Sequence, residues 1–312
     1  MFRDEFKLRY TTIPLAIHRA ECPFGAEELL AHRHREIELI YMREGRLNFY
    51  VDTVPYTLLK GDILVVPPYA IHRIPAHREG RAAHDCICFS ASLLPDVNLQ
   101  HLLEGGGRQE AWHVSAEEAI RFGLDACVST AFSASAAQED GWELTAVGSL
   151  SVLFGYLKRC HAFVKKEERA GDGEFAYRVI ASVDAQFAEV LTSHTLADAL
   201  HLSQSHFCRR FKEVFGTSFE RYLLLYRLER ARILLRQESF SVTEVAYRTG
   251  FHSASYFGKQ FRERYGVSPL SYQKTERAGE KEEKNLKKHK KYPKNAEYPI
   301  DKMHEDWYNC IQ

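Results

Sequence analysis

One pattern occurs twice between Leu196 and Gln273, and it restricts the fold more than any other feature of the chain. The first copy runs Leu196-Ala197, Leu202-Ser203, Phe207, Phe211-Lys212, Gly216 and Ser218. The second runs Val245-Ala246, Phe251, Ser253, Phe257, Phe261-Arg262, Gly266 and Ser268. From Phe207 onward the offset is 50 residues, whereas Ala197 recurs as Ala246 at 49, so the second copy has one more residue in its turn. A repeat of this kind means that one supersecondary unit is used twice.

Each copy predicts helix, tight turn, helix. In the second, Ser241-Val242-Thr243-Glu244 has the form of a capping box, in which the hydroxyl and the carboxylate satisfy each other's free backbone N–H groups. Val242, Val245 and Ala246 follow at the spacing of an inward helix face. Gly250 ends that helix, Ser253 caps the next, and Phe257 and Phe261, four apart, share its buried side. Gly266 stops it, and Pro269 follows. In the first copy Thr192 is the candidate cap, with Leu196, Ala197 and Leu200 inward, a turn around His201 and Leu202, and Ser203 capping the helix to Phe215. Between the copies, Ser218 to Gln237 reads as one helix with Phe219, Tyr222, Leu223, Tyr226, Ala231, Leu234 and Leu235 buried, about 30 Å long at 1.5 Å per residue. That length is close to the roughly 34 Å between major-groove faces on one side of B-DNA.

The exposed faces of the two second helices are too polar for a core: Ser205, His206, Cys208, Arg209 and Lys212 in one, Ala254, Ser255, Gly258, Lys259 and Arg262 in the other. Short residues at the start let a helix enter a major groove, and long cations further on reach bases or phosphates. The whole chain is neutral, with 42 Lys and Arg against 42 Asp and Glu, which by itself does not suggest a nucleic-acid partner. Residues 175–274 are different, with 14 Lys and Arg against 9 Asp and Glu. Local rather than total charge sets phosphate affinity. Arg209, Arg210, Lys212, Arg227, Arg230, Arg232, Lys259, Arg262 and Arg264 supply it.

Residues 175–274 resemble the DNA-binding domain of the AraC/XylS family of bacterial transcription regulators. The residues that carry the resemblance are Leu196-Ala197, Leu202-Ser203, Phe211-Lys212, Gly216, Arg227 and Ala231, then Val245-Ala246, Gly250-Phe251, Ser255-Tyr256-Phe257, Phe261-Arg262, Tyr265-Gly266, Ser268-Pro269 and Tyr272. The resemblance implies base contacts from Ser205, Cys208 and Arg209 and from Ala254, Ser255 and Lys259. Ser203, Arg210, Lys212, Ser253 and Arg262 are the expected phosphate contacts. Ala254 and Gly258 have no side-chain hydrogen bonds to offer, so the second helix is expected to contribute phosphate contacts and shape more than base discrimination.

Residues 13 to about 90 are short apolar runs broken by turns: 13–17, 37–42, 47–51, 56–58, 63–66 and 85–89, with Glu44-Gly45 and Lys60-Gly61-Asp62 between them. Closely spaced short strands predict a small antiparallel barrel or sandwich. Within them lie His32-x-His34-x3-Glu38-x6-Gly45, then Gly61-x5-Pro67 and His72, which resemble the two cupin motifs; Tyr69 and Ala76 stand where that pattern has glycine and asparagine. The cupin resemblance implies a jelly-roll-like barrel with an internal pocket. His32, His34 and Glu38 have the same parity, so a regular strand would point them to one face, where His72 closes the set. They are the candidate ligand-binding residues, able to take a small molecule or Zn²⁺, Fe²⁺ or Mn²⁺. The alternative is that His34 and Glu38 hydrogen-bond one another and no metal binds. His84, Cys86 and Cys88 also alternate onto one face, read as a core strand lined with small thiols.

Residues 91–112 read as a loop region. One helix is expected over about 115–132, with Ile120, Leu124, Cys127 and Val128 apolar, and another over 142–163, with Leu144, Val147, Leu150, Leu153, Phe154 and Leu157. Their faces must be buried on the barrel, on each other or on a second subunit, and in the family such helices pair subunits. The fold expected is therefore α+β and multidomain: a cupin-like antiparallel β-barrel (1–112), a helical dimerisation segment (113–164), a linker (165–174), an all-α domain with two helix-turn-helix motifs (175–274) and a disordered charged tail (275–312). The seven cysteines have no CxxC pair and suit reduced thiols in a cytoplasmic protein. Met1-Phe2-Arg3-Asp4 does not open a signal peptide, and no apolar run is long enough for a membrane span.

Three functions fit: a regulator of transcription controlled by a small molecule in the barrel, a metal-dependent cupin enzyme with an accessory DNA-binding domain, and a DNA-binding protein whose barrel only dimerises. The first is favoured. It implies no catalytic residue and no cofactor, with double-stranded DNA, a small-molecule effector, a second copy of the chain and RNA polymerase as partners.

Overall fold

The computed structural model describes residues 5–7, 13–23, 29–104, 110–160, 172–236 and 240–275. The chain divides between Gly173 and Glu174 into two compact units. The expected linker 165–174 lies partly outside the described residues, and a helix begins inside it at Asp172. The expected tail lies outside them beyond Thr275.

The first unit is built from ten strands: β1 (Glu5–Lys7), β2 (Leu15–Cys22), β3 (Leu29–His32), β4 (Ile37–Glu44), β5 (Arg46–Val51), β6 (Val54–Leu59), β7 (Ile63–Val66), β8 (His72–Ile74), β9 (Ala82–Phe89) and β10 (Trp112–Val114). They form a six-stranded sheet in the order β1-β2-β9-β4-β7-β10 and a four-stranded sheet in the order β3-β8-β5-β6. The pairs are antiparallel. Between the sheets lie Ile40, Met42, Leu47, Phe49, Leu58, Leu64 and Val66. The other face of the larger sheet carries Leu15, Ile17, Ile37, Leu39, Ile63, Val65, Ile87 and Phe89. A sheet covered on both faces reads as a continuous apolar run rather than an alternating one, as β7 does, and β9 is buried throughout although it includes His84 and Asp85.

That second cover is helical. Helices α2 (Ala116–Arg121), α3 (Leu124–Ala137) and α4 (Trp142–Arg159) pack on the sheet and on each other through Leu124, Val128, Phe132, Leu150, Phe154 and Leu157. Phe154 meets Phe89 edge-on, ring centroids 5.7 Å apart. The expectation of one helix over 115–132 is corrected: Gly123 takes φ +67 and divides it, so Ile120 ends up 69% exposed. Leu144, expected inward, is 82% exposed on α4. The loop expected over 91–112 contains a 3-10 turn (Ala91–Leu93) and α1 (Val97–Glu104). Asp96 starts α1 by accepting the Leu99 N–H at 3.0 Å, and Leu99 and Leu103, four apart, are buried.

The second unit is all-helical: α5 (Asp172–Gln186), α6 (Ser193–Ala199), α7 (Gln204–Phe215), α8 (Phe219–Arg236), α9 (Val242–Arg248) and α10 (Ala254–Tyr265). Phe207, Phe211, Phe215, Phe219 and Tyr222 form one aromatic core, and Phe251, Phe257, Phe261, Tyr265 and Tyr272 form its counterpart. The long helix α8 runs between them, with Tyr222, Leu223, Leu225, Tyr226, Leu228, Ala231 and Leu235 buried.

Candidate nucleic-acid interface and barrel site

The sequence repeat is also a repeat of hydrogen bonds. The N–H of Leu202 reaches the Ala197 carbonyl at 2.9 Å, and that of Phe251 reaches Ala246 at 2.9 Å. Ser203 Oγ accepts from the His206 N–H and Ser253 Oγ from the Tyr256 N–H, both at 3.3 Å. The Gly216 and Gly266 N–H groups close α7 and α10 on Lys212 and Arg262, both at 2.9 Å. The preceding helices both start with capping boxes, Thr192 with Thr195 and Ser241 with Glu244. In each turn one residue adopts a left-handed conformation: His201 at φ +57 and Gly250 at φ +80. The extra residue of the second copy is therefore His252, which lies between Phe251 and the cap Ser253.

On α7, Ser205, Cys208, Arg209 and Lys212 are exposed around the start of the helix, as is its cap Ser203. On α10, Ser255, Lys259 and Arg262 are exposed with the cap Ser253, while Ala254 is half-buried. Lys259 lies 3.9 Å from Glu263, one turn on. Arg210 is half-buried, its guanidinium 4.7 Å from the centroid of the Phe175 ring, so part of its role is to pin α7 to α5.

Four of the arginines counted as a phosphate-binding surface are structural. Arg232 is buried and pairs with Glu229; burial opposes its charge, but Glu229 holds its pKa well above the ordinary value. Tyr265 donates to the same carboxylate at 2.8 Å, which ties α8 to α10. Arg227 donates to the Phe187 carbonyl at 2.7 Å and to that of Glu189 at 2.8 Å. Arg230 lies over the Phe187 and Tyr226 rings, and Arg264 over Tyr265. Composition cannot separate a buried cation from an exposed one. The Glu229 and Arg232 spacing of three residues was the available signal.

In the first unit His32, His34, Glu38 and His72 do converge, with one ligating atom from each within 4.8 Å of all the others. The route differs from the one expected. They do not share a face of one strand: β3 ends at His32, residues 33–36 cross between the sheets with His34 among them, and Glu38 is on β4. His72 is paired with His32 in the four-stranded sheet. Each ring holds its Nδ1 on a backbone carbonyl: His32 on Leu30 at 2.7 Å, His34 on Glu36 at 3.1 Å and His72 on Ala70 at 2.9 Å. This directs each Nε2 inward. His72 Nε2 is 2.8 Å and His34 Nε2 3.4 Å from Glu38 Oε2. Burial would raise the Glu38 carboxyl, but His72 and His34 outweigh it and hold the pKa well below the carboxylate range. Burial would lower His72, yet Glu38 raises it. Burial and the two neighbouring imidazoles keep His32 well below an ordinary histidine.

The second oxygen of Glu38 meets a residue that sequence reasoning had placed only in the core. Cys86 Sγ is 3.1 Å from Glu38 Oε1 and 3.6 Å from Cys88 Sγ. The bond to Cys88, then burial, push the Cys86 thiol well above its usual pKa.

Residues 196–275 match the family model described as a helix-turn-helix domain, and residues 19–84 match that described as a cupin domain. The chain thus carries a match to a cupin domain followed by a match to a helix-turn-helix domain. The uncharacterized HTH-type transcriptional regulator YdeC of Bacillus subtilis is 37% identical over 92 residues, 30% of this chain and 32% of that protein. The HTH-type transcriptional activator RhaS of Salmonella arizonae is 34% identical over 131 residues, 42% of this chain and 47% of its own. The chain thus spans less than half the length of these two relatives. The HTH-type transcriptional activator RhaR of Pectobacterium carotovorum is 24% identical over 246 residues, 77% of this chain and 84% of its own.

In the cupin domain Tyr69 occupies the position where glycine was expected, and it adopts φ +63, the conformation that glycine supplies at least cost. Its N–H donates to the His34 carbonyl at 2.7 Å, which fixes the backbone behind the imidazole set. Among the described residues no helix is long and apolar enough to cross a membrane.

Proposed function

We propose that the protein is a sequence-specific DNA-binding regulator of transcription in which α7 and α10 enter successive major grooves and the barrel is the sensing chamber. The observation that supports this most is the repeated hydrogen-bond frame of the two helix-turn-helix copies, mounted on one continuous helix. Arg209 reads a base, most simply guanine O6 and N7, and Ser205 and Cys208 sit beside it against the groove floor. Lys212 and Arg262 hold phosphate, with Ser203 and Ser253 at the helix starts, where free N–H groups favour an anion. Ser255 and Lys259 contact the second groove, and Ala254 lets the helix approach.

In the barrel, His32, His34, Glu38 and His72 contact the effector. The donor set fits a divalent ion as that effector or as its holder: three imidazoles have their outer nitrogen held by a carbonyl, and the positive charge that Glu38 raises on His72 is the charge an ion replaces. Bound there, an ion supplies fixed positive charge between β3, β4 and β8 and a coordination point for a ligand. Whichever species binds, it shifts DNA affinity only if it prefers one arrangement of the protein over another. A second copy of the chain is expected on α4, where Leu144, Gly148, Val152 and Gly155 form one exposed stripe.

The test is footprinting of the purified protein over genomic DNA. Two protected patches on one face of the duplex, about one helical turn apart, are expected. A single patch, or protection independent of sequence, overturns the reading.

A further inference from the structure

We propose that Cys86 and Cys88, with Oε1 of Glu38, form a binding site for a soft, thiophilic divalent cation, placed back to back with the imidazole set across one shared carboxylate. The inference rests on the reading of the barrel as a sensing chamber only for its regulatory consequence. The site itself stands on the geometry of β4 and β9.

The pairing of these strands puts the groups together. Cys88 lies opposite Glu38, and Cys86 lies opposite Ile40 on one side and His18 on the other. Alternation along β9 then carries both sulfurs to the inner face of the sheet, away from Ile87 and Phe89. Both thiols are buried and reduced. Their sulfurs are 3.6 Å apart. Two thiolates on a tetrahedral ion, each bonded at about 2.3 Å, stand about 3.8 Å apart, so neither side chain has far to move. The carboxylate contributes differently on its two sides: Oε2 faces His72 and His34, and Oε1 faces Cys86.

Packing as small hydrophobes explains why these thiols are buried. It does not explain why one of them donates to a buried carboxylate that two imidazoles already engage. The chemistry of the two halves also differs. Imidazole and carboxylate suit borderline ions, whereas thiolates select Cd²⁺, Zn²⁺ and softer species. The chamber is thereby divided by ligand softness. On binding, each sulfur exchanges its proton for a bond to the ion, so two protons leave per ion and affinity rises with pH.

Cd²⁺ titrated into the metal-stripped, reduced full chain tests this through thiolate-to-cadmium charge-transfer absorbance. The expected result is a band that saturates at one ion per chain and disappears in the Cys86→Ser/Cys88→Ser double variant. The remaining cysteines stay in place as the internal control. If the double variant does not fold by circular dichroism, each single variant is expected to bind Cd²⁺ about tenfold or more weakly. An undiminished band in the serine variants, or no band in a wild-type chain whose thiols titrate as reduced, overturns the site. DNA affinity measured in the same titration separates the two readings. A band without any change in DNA binding leaves the ion site standing and removes its sensing role.

Discussion

The exposed face of α7 carries Ser205, His206, Cys208, Arg209 and Lys212; 50 residues on, α10 carries Ser255, Tyr256, Gly258, Lys259 and Arg262. The caps and helix stops beneath these faces use the same carbonyl acceptors, while the second turn holds His252 as an extra residue. Arg209 has become a lysine leaning toward Glu263, and Cys208 has become a glycine. The inner set is alike in the two copies, and the outer set differs. One repeated frame can therefore carry two faces of different chemistry.

Removing one aromatic anchor from each copy tests whether the frames are independent. Phe211→Ala and Phe261→Ala should each cost about 3–5 kcal/mol, because both rings are fully buried. If α8 couples the copies, amide exchange will quicken in both for either variant; quickening confined to the mutated copy would show separate units. A smaller effect, opposite in kind, is expected at the left-handed turn residue. Gly250→Ala should cost about 2–4 kcal/mol in thermal or urea unfolding. Beyond its φ of +80, a Cβ there would lie 2.8 Å from the Phe187 carbonyl oxygen and 2.9 Å from Arg227 Nε. His201→Gly at the matching place should change stability by no more than about 1 kcal/mol. Equal losses at the two would mean that the turns are not equivalent.

On DNA the two faces should separate. Arg209→Ala is expected to cost about 1–3 kcal/mol on the preferred site and little on random sequence. Lys259→Ala should weaken both about equally and lower the salt slope by about one. Equal loss on both sequences for Arg209→Ala would remove it as a base reader. The smallest difference lies in the capping boxes. Hydrogen bonds from the Ser241 backbone and hydroxyl hold the Glu244 carboxyl below its ordinary pKa. Its contribution is therefore complete above the usual glutamate range and is lost as pH falls from there through the lowered value. The Thr192–Thr195 box has no such dependence. Glu244→Gln should flatten the acid limb of the melting-temperature profile, and an unchanged limb would assign the pH dependence elsewhere.

The double frame was legible because its signals are local: caps, glycines and aromatics at fixed spacing. The barrel site was half legible. His32, His34, Glu38 and His72 do come together, but parity assumed one continuous strand, and the chain changes sheets between His32 and Glu38. The meeting of Cys86 with Glu38 depends on a strand pairing between residues 48 apart, which no local spacing encodes. Helix α1 was missed because two leucines and one aspartate cap are all that announce it. Arg227 of α8 was misread as surface because its partners, the Phe187 and Glu189 carbonyls, lie outside that helix, whereas Arg232 is paired within α8 with Glu229.

Helix α8 has a consequence for how such a protein can change. Each residue added to or removed from a helix turns whatever follows by about 100°. Both ends of α8 are locked, at Phe219 against Phe207 and Phe211 and at Glu229–Arg232 against Tyr265. If α7 and α10 read DNA as proposed, an insertion or deletion within α8 would swing one of them out of phase with the duplex. The chain carries a ruler of fixed length, and its descendants can rewrite what each end reads far more readily than how far apart the readings fall.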